Sequence, residues 1–287
     1  MRILPVHSSL LDAPKVLKKY GILPKKSLGQ NFVINQRGLD AVISAAGLNG
    51  HEEVIEIGAG LGTLTIELAQ HAGRVFAVEI DKRLIPVLQD VLQDFENVTL
   101  LHADFLQVDP GELVSRSGYS VVANIPYNIT SALIRHLMES SISPERVVLT
   151  MQREVAQRIT GLPGNMSLLA LSVQIYGSAV ITAHMPAGYF YPIPDVDSAV
   201  LRIDIYKEPM VPRNVIPVIF SLARAGFGQK RKKLRNSLAS MMGTSPVEVE
   251  KLLVRAGIQP KSRAQELSIQ DWEKIARIAV EENQLRR

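Results

Sequence analysis

Five short apolar runs, β-branched in the main, leave few folds open to this chain: Val54-Ile55-Glu56-Ile57, Val75-Phe76-Ala77-Val78, Val98-Thr99-Leu100-Leu101, Val121-Val122-Ala123 and Val147-Val148-Leu149. Such runs suit strands buried on both faces. Between them the spacing turns helical: Leu61, Leu64, Leu68 and Ala72 share one face, as do Leu133, Ile134, Leu137 and Met138. Strand and helix in alternation imply right-handed crossovers and an α/β fold, a mostly parallel sheet with helices on both faces. After about residue 150 the rhythm loosens, and residues 168–176 and 198–206 read as further strands that close the sheet at one edge. Lys207-Glu208-Pro209-Met210-Val211-Pro212 reads as a boundary, because two prolines break regular structure there. The expected organisation is an N-terminal extension over 1–14 without order, a catalytic body over 15–207 and a small helical domain over 208–287.

With 287 residues and 46% hydrophobic content, the chain can bury a core in both parts. No apolar stretch approaches the ~20 residues of a membrane span, and the N-terminus lacks signal-peptide zones, so a cytoplasmic location is expected and no membrane. The absence of cysteine excludes disulfides, thiol nucleophiles and cysteine-ligated zinc, and the six histidines show no metal-ligand spacing, so no metal is expected. Charge is uneven. Residues 1–37 carry seven Lys/Arg against one acidic residue, 207–287 carry sixteen against eight, and 38–206 carry nine against nineteen. Basic ends around an acidic middle suggest a catalytic body whose ends grip a nucleic acid, although two solvated ends would give the same count.

Glu56-Ile57-Gly58-Ala59-Gly60-Leu61-Gly62-Thr63 lies between a predicted strand and a predicted helix, where glycines allow a tight turn and close approach of backbone to ligand. A dinucleotide turn has the spacing Gly-x-Gly-x-x-Gly and places a pyrophosphate on the helix N-terminus. Here the spacing is Gly-x-Gly-x-Gly, and Glu56 upstream would repel a pyrophosphate yet suits a zwitterionic amino-acid cofactor. The motif resembles the S-adenosyl-L-methionine (SAM) turn of class I methyltransferases. Glu79 ends the second strand, where a carboxylate can accept bonds from two ribose hydroxyls; Asp104 follows the third and can accept from an adenine amine. Taken singly, each of these acids suits a helix cap or solvated loop equally well.

Asn124-Ile125-Pro126-Tyr127 follows the fourth strand. An exocyclic adenine amine is a poor nucleophile, because its lone pair is delocalised into the ring. Acceptors for its N–H groups, such as the Asn124 side-chain oxygen and a backbone carbonyl of the turn, localise that pair. Pro126 stiffens the turn, and Tyr127 offers a face for a base taken out of its helix.

These segments together resemble the KsgA/RsmA-type small-subunit (16S) rRNA adenine N6,N6-dimethyltransferases. Asn-Ile-Pro-Tyr is that family's form of the amino-methyltransferase motif. Lys25-Lys26-Ser27-Leu28-Gly29-Gln30-Asn31-Phe32 resembles its N-terminal signature, which implies that Gln30, Asn31 and the backbone near Val33 close over the cofactor. Residues 190–198, Phe-Tyr-Pro-Ile-Pro-Asp-Val-Asp-Ser, resemble its Phe-x-Pro-x-Pro-x-Val-x-Ser segment, implying that Phe190 stacks on the target adenine opposite Tyr127. Asp195 departs from the family's usual Lys and puts one RNA contact in doubt. The likeness runs from about 15 to 275 and implies two successive SAM-dependent methylations, a class I methyltransferase fold, and a partner rRNA within an assembling small subunit.

Gln229-Lys230-Arg231-Lys232-Lys233-Leu234-Arg235-Asn236 concentrates cations ahead of a helical pattern. With Lys25 and Lys26 they are candidate phosphate contacts, which add affinity and salt dependence without reading bases. Three rival readings remain open: a large-subunit rRNA adenine methyltransferase of the macrolide-resistance type, a mainly structural ribosome-assembly factor, and a protein or DNA amino-methyltransferase. The ends and the Arg263-Ala-Gln-Glu-Leu267 segment favour the small-subunit type on resemblance. Without a heptad run or a long exposed apolar face, a monomer is expected.

Overall fold

The computed structural model describes residues 10–115, 117–125, 129–229 and 232–281. In chain order its strands are β1 (Phe32–Val33), β2 (Glu53–Ile57), β3 (Arg74–Glu79), β4 (Val98–His102), β5 (Ser120–Asn124), β6 (Arg146–Gln152), β7 (Gly177–Met185), β8 (Phe190–Tyr191) and β9 (Ser198–Ile205). Seven of them form one sheet of order β4-β3-β2-β5-β6-β9-β7, and β1 pairs with β8. The five apolar runs are β2 to β6, all parallel, and β9 lies antiparallel on β6. In register, Ile55 sits between Phe76 and Val121 with all three side chains buried, which is why these strands read as continuous apolar runs.

Helices cover the sheet: α1 (Ala13–Tyr20), α2 (Gln36–Ala46), α3 (Thr63–His71), α4 (Ile85–Leu92) and α5 (Thr130–Glu139). The latter part of the chain adds α6 (Arg153–Ile159), α7 (Leu168–Gln174), α8 (Ile216–Gly228), α9 (Leu234–Met242), α10 (Pro246–Arg255) and α11 (Ile269–Glu281). Two compact units result. One holds the chain up to Ala156 with Val180–Ile205; the other holds Gln157–Ala179 with the chain from Tyr206 on. In the second, Trp272 of α11 is fully buried among Ile219, Leu222, Leu234 and Leu253. Its ring lies so close to α8 that a Cβ on Gly226 would meet it at 2.9 Å.

Three expectations need correction, and one strand goes unread. Residues 168–176 are not a strand: Ser167 caps α7 by accepting from the Ala170 N–H at 3.0 Å. The run is apolar at so many positions that period alone does not separate strand from helix. Its neighbour β7 has no counterpart in the sequence reading: its half-buried Ala179, Ile181 and Ala183 alternate with exposed residues along an edge strand, but two of the three are alanine and exposed Val180 blurs the alternation. The second unit takes in 157–179, which the sequence pattern places in the catalytic body. Order also begins inside the segment expected to lack it, since Asp12 caps α1 through the Lys15 N–H at 3.1 Å. No helix among the described residues is long and apolar enough to cross a membrane.

Candidate active site

β2 runs on toward β3 while β5 lies on its other side, so the strand order reverses between β2 and β5. In an open parallel sheet the crevice for a ligand lies at that point, outside the carboxyl ends of the strands. The glycine turn occupies it. Gly58, Gly60 and Gly62 have φ of 80°, 62° and 89°, a region that side-chain-bearing residues disfavour. The Gly58 and Ala59 N–H groups donate to Val78 O at 2.8 and 3.2 Å, which folds the turn over the end of β3. A Cβ on Gly60 would stand 3.1 Å from the Phe32 ring.

A cavity of about 250 Å³ opens here, walled by Gln30, Asn31, Gly58, Gly60, Glu79, Asp104 and Asn124, with apolar surface from Leu28, Phe32, Phe105, Ile125 and Leu133. A recess of about 30 Å³ shares Phe32, Gly58, Gly60 and Asn124 with it and adds Val33 and Glu56. Residues far apart in sequence thus meet because each ends a strand or packs against one that does.

The carboxyl groups differ in state. Glu56 is 1% exposed, and its Oε2 has no partner among the described residues. Burial pushes its carboxyl up to about 8; Thr65 opposes that and the Glu79 charge adds to it. Burial raises Glu79 too, against N–H donors that favour its ionised form: Asp81 N–H reaches Oε1 at 2.7 Å and Gly60 N–H reaches Oε2 at 2.8 Å. Asp104 is exposed, and one oxygen caps the short turn after β4 by accepting from Leu106 N–H at 3.1 Å. A carboxylate oxygen has two lone pairs, so both acids keep capacity for a ligand.

Asn124, at the end of β5, donates from Nδ2 to Asn31 O at 2.8 Å. Gln30 accepts from Lys25 N–H at 2.7 Å and donates to Asp81 at 2.8 Å, so the segment ahead of β1 forms one wall of the cavity. The Arg83 guanidinium holds the Asp81 carboxyl well below the usual carboxylate range. Pro126 and Tyr127 lie outside the described residues. Phe190 is 1% exposed, faces Val33 across the β1–β8 pair, and packs with Leu39 and Met185. Strand alternation turns the next residue, Tyr191, toward Phe32 and Leu61 instead.

Lys25, Lys26, Lys232 and Lys233 are exposed. Lys230 and Arg231 lie outside the described residues. Arg235 is not a free cation, because its guanidinium pairs with Glu250 and ties α9 to α10. No group of three or more acidic or histidine side chains suited to a metal occurs among the described residues.

The sequence pattern described as "Ribosomal RNA adenine dimethylase" matches residues 23–281. The chain belongs to the ribosomal RNA adenine dimethylase family. It is accordingly an rRNA adenine dimethyltransferase. The chain is 41% identical to the "Ribosomal RNA small subunit methyltransferase A" of Dehalococcoides mccartyi over 270 residues, 93% of this chain and 92% of that one. It is 37% identical to the protein of that name from Bacillus pumilus, over 92% of this chain and 94% of the other. Among solved structures, a dimethyladenosine transferase from Plasmodium falciparum superposes with a TM-score of 0.72 over 88% of this chain and 97% of that one at 23% identity, which bears on the fold alone. The 23S rRNA methyltransferase ErmE gives a TM-score of 0.67 over 86% and 99%, at 26% identity. The fold is that of class I methyltransferases with a helical C-terminal region.

Sequence reasoning passes over Asp81 and Arg83, which bond to Gln30 and to the Leu23 carbonyl in the segment ahead of β1. Asp81-Lys82-Arg83 after a strand reads as a charged loop, and nothing local announces a partner 51 positions earlier.

Proposed function

We propose that this dimethylase acts on the N6 amines of adjacent adenines in small-subunit (16S) rRNA during subunit assembly, with S-adenosyl-L-methionine as methyl donor, as a cytoplasmic monomer. The observation that carries the substrate is identity of about 40% along nearly the whole chain to proteins named for the small subunit. Likeness to the large-subunit enzyme ErmE is weaker, at 26%.

The cavity suits this cofactor. Glu56 Oε2, buried without a partner, matches an ammonium at the amino-acid end; Glu79 suits ribose hydroxyls and Asp104 an adenine amine. Gly58 and Gly60 keep the turn free of side chains, and Gln30, Asn31 and Val33 close the opposite wall. When bound, the cofactor supplies an electrophilic methyl on a sulfonium. Asn124 Oδ1 and the carbonyl that follows it accept from the target amine and aim its lone pair. Each transfer would form one N–C bond as the methyl's bond to sulfur breaks and leaves the neutral thioether S-adenosylhomocysteine, and the amine gives up one proton, whose acidity rises once nitrogen carries the methyl. Tyr127 provides the stacking face, with Pro126 fixing the turn. The sheet unit is the catalytic domain and contacts phosphates through Lys25 and Lys26, and the helical unit does so through Lys230, Arg231, Lys232 and Lys233.

Transfer of labelled methyl to small subunits, large subunits and naked rRNA lacking the modification tests the reading. Dimethyladenosine with small subunits only is the expected result. Label on large-subunit rRNA would move the assignment to the ErmE-like class, and SAM binding without any transfer would leave an assembly factor.

A further inference from the structure

Outside the assigned site, Asp81 joins Gln30, Glu79 and Arg83. Its side chain is buried, 4% exposed, at the turn after β3. One carboxylate oxygen accepts from Gln30 Nε2 at 2.8 Å, and the Arg83 guanidinium grips both oxygens, with Nε at 2.9 and 3.1 Å. Arg83 Nη1 then donates to Leu23 O at 3.1 Å. Gln30 Oε1 accepts from the Lys25 N–H at 2.7 Å. The bonds close a ring from Leu23 through Lys25, Gln30, Asp81 and Arg83 back to Leu23. The Asp81 backbone N–H also fixes Glu79 Oε1 at 2.7 Å. Gln30 is bonded in sequence to Asn31, whose carbonyl holds the Asn124 amide.

We infer that Asp81 is a positioning residue: through Gln30 and Arg83 it straps residues 23–31 down as the wall of the cofactor cavity, and through Asn31 it sets Asn124. The arm has no continuous strand or helix to hold it, only a 3-10 turn at Lys26–Leu28 and the two-residue β1. A charge-assisted fork and an amide bond therefore supply what secondary structure does not. Asp81 touches neither cofactor nor substrate in this scheme. The affinity arm of the test rests on the SAM reading above; the exchange arm does not.

The test compares wild type, Asp81→Ala and Arg83→Met, free of ligand and with S-adenosylhomocysteine. Hydrogen exchange reports the arm, calorimetry the affinity, and steady-state assays separate KM for SAM from kcat. Losing a bond to a charged group predicts cofactor affinity weakened about 10–100-fold in Asp81→Ala. Faster exchange is expected at 23–31 and unchanged exchange in β2 and α3, with Arg83→Met showing a smaller change of the same pattern. A purely structural Asp81 would loosen β2 and the arm alike. Arg83→Met keeps the question open to measurement if Asp81→Ala does not fold. Either variant folded with wild-type exchange over 23–31 and wild-type affinity overturns the inference. Wild type that fails to bind S-adenosylhomocysteine would sink the cofactor reading instead, while the exchange result still decides the strap.

Discussion

Asn124 donates its side-chain N–H to the carbonyl of Asn31, 2.8 Å away and 93 positions earlier in the chain. A carbonyl only accepts, so the partner settles which way the amide faces: Nδ2 toward the arm, with Oδ1 making no hydrogen bond to another described residue. A target amine carries N–H donors, and Oδ1 is the atom that suits them. Asn124→Ala removes the acceptor and is expected to lower kcat by about 10²–10³, the usual scale for one aimed hydrogen bond in a transition state. Cofactor affinity should change little. Isotopic methyl transfer at saturating RNA, beside calorimetric cofactor binding, checks both, and turnover like that of wild type would remove Asn124 from the mechanism.

Two glycines of one turn separate ligand from fold. Gly60 borders the cavity at φ 62°, and an added Cβ meets Phe32 at 3.1 Å. Gly62 lies at φ 89°, away from the cavity lining, and a Cβ there meets Leu88 and Val91 at 3.2 Å. Alanine at either position costs about 1–2 kcal/mol in left-handed backbone. Gly60→Ala should also weaken cofactor binding, whereas Gly62→Ala should lower Tm by a few degrees and leave affinity close to wild type. Equal affinity losses in the two would contradict this division.

Glu56 links stability to pH. An unfolded chain ionises this carboxyl from its ordinary value of 4.5 upward, while burial keeps the folded form protonated to about 8. The unfolded state therefore binds fewer protons across that window. Stability contributed by the neutral carboxyl is fully present below 4.5 and is lost as pH rises toward 8, by roughly 1.4 kcal/mol per pH unit at most. Glu56→Gln should flatten the fall in Tm between about pH 5 and pH 8 in the ligand-free protein. A slope identical in both proteins would assign the dependence to other groups.

The cations of the helical unit divide into two kinds. Lys232 and Lys233 are exposed, and Arg235 is paired with Glu250. Neutralising Lys230, Arg231, Lys232 and Lys233 together should weaken RNA binding and flatten its salt dependence, by roughly 0.7–0.9 in log–log slope for each phosphate no longer neutralised. Arg235→Gln should lower Tm, because the half-exposed pair is worth at most about 1 kcal/mol and leaves Glu250 alone. Its salt slope should stay at the wild-type value. Binding titrations at several salt concentrations, with melting curves, distinguish the two.

The five parallel strands, the glycine turn and the acids that follow the strands are legible in sequence because each signal is local. Apolar runs report burial on both faces, and a strand's last residue necessarily lies at the sheet edge. The same locality explains the errors. An apolar stretch such as 168–174 satisfies helix and strand alike until Ser167 caps it, and the inward face of the edge strand β7 is blurred by its alanines and by Val180 on the exposed side. The motif around Phe190 says nothing of its packing, which antiparallel pairing of β8 with β1 decides by turning the ring into the core. Arg235 resembles its basic neighbours in sequence, and only the packing of α10 brings Glu250 against it.

The sequence by itself determined the five parallel strands, the order of their chemistry-bearing turns and, through their motifs, the reaction class. Tertiary structure alone decided which side chains meet: Gln30 with Asp81, Asn31 with Asn124, Arg235 with Glu250. The physical reason is range. Propensity and periodicity act over one turn of chain, whereas a hydrogen bond between residues 51 or 93 positions apart exists only after the core has packed and set the distance between them.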